Sequence, residues 1–111
     1  MVMNREQALE GLIGFTKPIT DIRKDLLAFP WDSEKELVVL RASHLRQILR
    51  RFLDGNLKAE DVEEWADAIE ARDDIGFEID LLKDFIFEFA NAALNGLLDR
   101  NRASEILEKI S

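Results

Sequence analysis

From residue 43 onward the apolar residues recur every three or four positions, the spacing that puts them on one side of a helix. With Val62 as the reference direction, Trp65, Ala66 and Ile69 fall within an arc of about 100° at 3.6 residues per turn, so 59–72 reads as an amphipathic helix. The span 79–94 is the most apolar. Ile79, Leu82, Ile86, Phe89, Ala90 and Ala93 form its centre, and Phe85, Phe87 and Leu94 flank it, an arc wide enough to meet several neighbours. Leu45, Ile48, Leu49 and Phe52 mark a helix over 44–53, with Ser43 in position to cap it and Asp54-Gly55 to end it. Asp99 precedes a last helix over 100–110, with Ala103, Ile106, Leu107 and Ile110 inward.

Residues 1–42 are less regular. Ala8, Leu9, Leu12 and Ile13 share one side of a helix over 5–15, which Gly14 and Pro18 interrupt. A second short helix begins at Pro18 and carries Ile19, Ile22, Leu26 and Leu27. Ser33 and Glu36 have capping-box spacing, which would start a helical turn at Glu34. The run Leu37-Val38-Val39-Leu40 is out of phase with the helix that follows, so a break belongs near Arg41. A short extended piece over 36–40 is the other reading, but no second strand-like run offers it a partner. Asp73-Asp74-Ile75-Gly76 reads as a turn. The expectation is an all-α fold: a single domain over 1–111, an antiparallel four-helix bundle preceded by one or two short helices.

Composition narrows the chemistry. The absence of cysteine excludes a disulfide framework, thiolate-bound zinc and an iron–sulfur centre, and the single histidine, His44, excludes a multi-histidine metal site. No nucleophile or phosphate-binding loop accompanies the carboxylates, so no enzyme activity, no cofactor and no metal are expected. No apolar run approaches the roughly 20 residues of a membrane span. Residues 1–10 lack the apolar core of a signal peptide, so the expected compartment is the cytoplasm, with no membrane partner.

The charge is unevenly placed. Residues 1–58 hold ten Lys and Arg against eight Asp and Glu, whereas residues 59–111 hold five against fifteen. Phosphate would be repelled by the second half, so nucleic acid is not an expected partner. On the helix over 59–72, Glu60, Glu63, Glu64, Asp67, Glu70 and Asp74 gather opposite Val62 and Ile69, many of them three or four residues apart. Such like-charge pairs destabilise a helix by about 0.2–0.5 kcal/mol each. A solvated face, pairing with Arg46, Arg50 and Arg51, and a docking surface for a basic protein all accommodate the pattern. Asp80, Asp84 and Phe87 on the next helix join the candidate surface, because an aromatic beside acids suits a protein-binding hot spot; burial of Phe87 beneath the N-terminal segment is the competing reading. Trp31 has the same two readings, cover for the core or a binding residue. Arg72 is placed to bond the end of its helix and a neighbouring carboxylate together.

The stretch Phe52-Leu53-Asp54-Gly55-Asn56-Leu57-Lys58-Ala59-Glu60-Asp61-Val62-Glu63-Glu64-Trp65 runs from a helix through a short glycine turn into an acidic helix bearing a tryptophan. With Arg72-Asp73-Asp74 and the helix end at Asn95-Gly96, it resembles small bacterial proteins similar to colicin D-type immunity proteins over residues 43–110. The resemblance implies a helical bundle that binds a cytotoxic RNase domain and blocks its positively charged active site, the acidic surface imitating RNA. The expected function is therefore that of a non-enzymatic immunity or inhibitor protein that occludes a basic site on a partner protein, as a monomer or homodimer. The alternative is a general helical interaction or regulatory module, homodimeric through Phe87 and its neighbours.

Overall fold

A computed structural model describes residues 3–110. Among them the chain forms α1 (Arg5–Gly14), α2 (Ile19–Leu26), β1 (Val38–Leu40), α3 (Ala42–Leu53), α4 (Ala59–Glu70), β2 (Ile75–Phe77), α5 (Asp80–Ala90), α6 (Ala92–Asn95) and α7 (Arg100–Ile110). The fold is mostly helical, but the all-α expectation is corrected by the two strands. They pair in parallel, Val38 with Ile75, Val39 with Gly76 and Leu40 with Phe77. The partner of 38–40 is therefore the segment read as a turn. The Leu37 and Val38 amides donate to the Asp74 carbonyl at one end, and the Glu78 amide donates to the Leu40 carbonyl at the other. Val38 and Leu40 point into the core while Val39 points out, the alternation of a half-buried strand. The helical turn expected at Glu34 is absent, and Ser33 Oγ instead bonds the backbone of Lys35 in both directions.

The parallel pairing dictates how the helices return. A parallel strand pair needs a crossover, here supplied by α3 and α4. It also puts β2 between α4 and α5 in the chain, though the two helices pack against each other. A hairpin of adjacent antiparallel helices would set Glu70 beside the start of α5, about 16 Å from Asn91 at 1.5 Å per residue. Instead Asn91 Nδ2 donates to Glu70 Oε2 at 3.4 Å, so the C-terminal ends of the two helices meet. Antiparallel contacts are made elsewhere. Arg46 of α3 donates to the Ile110 carbonyl and Arg100 of α7 donates to the Leu53 carbonyl, each 2.8 Å, so each helix supplies a cation to the end of the other.

Several local boundaries move for identifiable reasons. Ser43 is not the cap of α3. Arg41 occupies that position, its amide donates to His44 Nδ1 at 2.9 Å, and the free Ala42 amide donates to Glu78 Oε1. Burial holds the His44 pKa below its usual value, with Glu10 opposing and Arg41 adding to that effect. Pro18 caps α2 from outside the helix rather than starting it. The apolar helix expected over 79–94 stops at Ala90, because Asn91 leaves helical geometry and its side chain bonds the Phe87 carbonyl. Ala93 and Leu94, beyond that end, are exposed, and so is Ile79, which precedes the first turn of α5 in extended geometry. The Gly55 turn is as expected. Gly55 has φ +85°, its amide donates to the Phe52 carbonyl, and the Asn56 amide donates to the Arg51 carbonyl, a Schellman closure of α3.

The core runs from α1 to α7 through the inward faces expected from the spacing: Ala8, Leu9, Leu12 and Ile13; Leu45, Ile48 and Leu49; Val62, Trp65, Ala66 and Ile69; Leu82, Ile86 and Phe89; Ala103, Ile106 and Ile110. Trp65 is fully buried at its centre. Its Nε1 donates to the Leu12 carbonyl at 2.7 Å, and its ring stacks on Phe15 with centroids 6.4 Å apart. Arg51 closes this contact from outside, donating to the Phe15 carbonyl and lying 5.2 Å from the Phe15 ring centroid. Trp65→Ala is expected to destabilise the fold by about 3–5 kcal/mol, since it leaves a cavity and removes one of the two donors to the Leu12 carbonyl, the Phe15 amide being the other. Urea unfolding of wild type and variant measures this; a loss under about 1 kcal/mol would contradict the packing described.

Candidate functional site

The candidate residues divide into a free set and a structural one. On α4, Glu60, Glu64, Asp67 and Glu70 are exposed and Glu63 is half-buried. Among the described residues none of these five forms an ion pair, and Glu70 alone takes a side-chain hydrogen bond, from Asn91. The arginines expected as their internal partners are engaged elsewhere. Arg46 bonds Ile110, Arg51 bonds Phe15, and Arg50 stands exposed without an ion pair among the described residues. The like-charge repulsion along α4 is thus left uncompensated. Only the start of the helix gains, where Asp61 Oδ2 accepts from the Lys58 amide at 2.8 Å and Glu60 faces the positive end of the helix dipole.

On α5, Asp80 and Asp84 are exposed and unpaired as well. Phe87 is 54% exposed, so it does not pack beneath the N-terminal segment. It lines a cleft of about 330 Å³ with Glu70 of α4, Glu36, Asp73 and Lys83. The structure therefore joins Glu70 and Phe87, and adds Glu36 and Asp73, which sequence spacing did not connect to them. Glu88 is neutralised: its carboxylate receives Arg102 through two bonds of 2.6 and 2.9 Å.

Asp74 does not belong to the exposed surface, and its assignment to partner binding is corrected. It is fully buried, the only charged residue so placed among those described. Arg72 Nε donates to its Oδ1 and Arg72 Nη2 to its Oδ2, at 3.0 and 3.1 Å. Arg5 Nε reaches Oδ2 from α1 at 3.0 Å. A carboxylate moved out of water costs several kcal/mol unless its oxygens are satisfied, and here both oxygens take guanidinium donors. The same arginines bond the backbone of the 30–33 segment, Arg72 at the Pro30 carbonyl and Arg5 at the Asp32 carbonyl. The expected structural role of Arg72 is present, with Asp74 as its carboxylate.

Two large apolar residues stand outside the core. Leu27 was placed with Ile19, Ile22 and Leu26, yet it is 83% exposed. Its phase gives the reason, since it stands about 100° from Leu26 and off the line of Ile19 and Ile22. Trp31 is 60% exposed, so the reading of it as cover for the core is also corrected. Both residues line a groove on the far side of α4 from Phe87. Among the described residues there is no group of three carboxylates, histidines or cysteines placed to hold a metal ion, and no helix long and apolar enough to cross a membrane.

The Asp74 cluster has a direct test. Asp74→Ala is expected to destabilise the fold by about 3–5 kcal/mol, because it strands Arg72, whose side chain is nearly buried. Urea titration reads the loss; a midpoint unchanged from wild type would return Asp74 to the exposed acidic set.

Comparison of the chain with family models, with curated proteins and with solved structures finds no match.

Proposed function

We propose that this protein is a non-enzymatic binding protein of the immunity or inhibitor type, whose acidic face occludes a basic site on a partner protein such as a bacteriocin-like toxic RNase. The observation that carries this reading is the outer face of α4. Glu60, Glu63, Glu64, Asp67 and Glu70 repel one another there without an ion pair among the described residues to relieve them. A face shaped for stability alone would interleave lysine or arginine at those spacings. Binding would proceed by electrostatic steering followed by steric cover of the basic site. The reading needs no cofactor and no metal, and it places the protein in the cytoplasm beside the activity it restrains.

The decisive variant is Glu64→Lys with Asp67→Lys. It removes like-charge contacts, so the urea midpoint is expected to hold or rise slightly. Capture of a basic partner on the immobilised chain is expected to succeed with wild type at low salt, and to fail with the variant and at 0.3 M salt. A lower midpoint with the partner still captured would contradict the proposal. Sedimentation of the free chain distinguishes it from the alternative module: a homodimer through Phe87 would dissociate on Phe87→Ser, whereas the inhibitor reading requires only the monomer.

A further inference from the structure

The groove beside α4 has a chemistry of its own. Its volume is about 730 Å³. One wall is α2 with the residue that follows it, which present Thr20, Arg23, Lys24 and Leu27 at the i, i+3, i+4, i+7 spacing of a single helix face. The other is the end of α4, where Ala68 and the capping residue Ala71 stand one turn apart and are small enough to leave the space open. Trp31 and Phe29 line it from the connection that follows α2. Leu27 and Trp31, 83% and 60% exposed, are the large apolar side chains it presents to solvent.

The two rims carry opposite charge. Arg23 and Lys24 stand exposed on the α2 side, and neither forms an ion pair among the described residues. On α4, Glu64 precedes Ala68 by four residues and Asp67 precedes Ala71 by four, so both stand on the solvent edge of the same wall. They too are unpaired. The groove thus has a basic rim of its own, and the acids of α4 lie one turn along from the alanines that line it.

We propose that this groove is the docking site for an amphipathic helix of a partner protein, with large apolar side chains along its centre, carboxylates along the edge that meets Arg23 and Lys24, and basic side chains along the edge that meets Glu64 and Asp67. Apolar walls from two neighbouring elements, with small residues on one of them, form the cradle that helix-in-groove recognition uses. The exposed tryptophan supplies the kind of aromatic anchor on which such interfaces concentrate their affinity, and the rims supply orientation. The basic edge rests on the reading of the α4 face as a partner surface; the apolar floor and the Arg23–Lys24 rim do not.

The test uses three labelled helical peptides sharing one Leu/Phe stripe and differing only at the edges: Glu on one edge and Lys on the other, Lys on both, or Glu on both. Fluorescence anisotropy at 50 mM salt reads their binding to the full chain. The mixed-edge peptide is expected to bind about fivefold or more tighter than either control, the size that a few exposed charge pairs allow. Arg23→Glu with Lys24→Glu is expected to transfer the preference to the peptide with Lys on both edges, and Leu27→Asp to weaken all three. Both substitutions are at exposed positions, and far-UV circular dichroism checks that the variants fold. No binding by any peptide, equal binding by all three, or undiminished binding to Leu27→Asp would overturn the proposal. A failed capture experiment beside the expected peptide ranking would overturn the inhibitor reading alone.

Discussion

One buried carboxylate holds the first half of the chain to the second. Asp74 lies 69 residues from Arg5 and two from Arg72, and its two oxygens bind both guanidinium groups. Its backbone is as occupied as its side chain, because its carbonyl accepts from Leu37 and Val38 where the strand pair begins. Through Arg72, Arg5 and the Asp73 amide, the carbonyls of Pro30, Trp31 and Asp32 are fixed to the same point. A connection of eleven residues between α2 and β1, with no regular structure of its own, is thereby held in one course. The carboxylate would be costly without its partners and the partners without it, so the cluster makes alternative placements of that connection unfavourable.

The helical half of the fold was legible because burial there is periodic. The inward residues of α3, α4 and α7 are the ones that spacing picked out, and Gly55 and Asp99 act at the helix ends where they were expected. What stayed hidden depends on contacts distant in sequence. Three residues are too few to reveal a period of two, so Ile75-Gly76-Phe77 carried no strand signal beside its glycine. The amide left free at the start of α3 is capped by Glu78, 36 residues away, while Ser43 offered a nearer and wrong solution. Asp74 followed other acids in sequence and shared their apparent exposure. Only the approach of Arg5 from α1 separates it from them, and a pattern within one helix cannot express that approach.

The candidate site was legible to the same degree. The exposed acids of α4 were found from their phase, and the structure removes the internal arginine partners that would have explained them away. Phe87 and Trp31 had two readings each, and both prove exposed. The groove was missed because its walls come from α2 and α4 and its defining residues, Ala68 and Ala71, are inconspicuous alone. Under the two proposals the acidic face and the apolar groove would divide the work of association: charges act at a distance and set the encounter, and apolar side chains set how long it lasts.

The dependence of the fold on the Asp74 cluster is tested most directly by native-state hydrogen exchange of Arg5→Gln. This variant keeps the Arg72–Asp74 pair and releases only the tie to α1 and to the Asp32 carbonyl. The account predicts faster exchange, by about tenfold or more as expected for a lost hydrogen bond to a charged group, at the first turn of α1 and at Leu37 and Val38 together. Amides in the middle of α3 and α7 should keep their wild-type rates. Unchanged exchange at Leu37 and Val38, or an equal acceleration across the whole chain, would contradict the claim that this one carboxylate anchors that part of the structure.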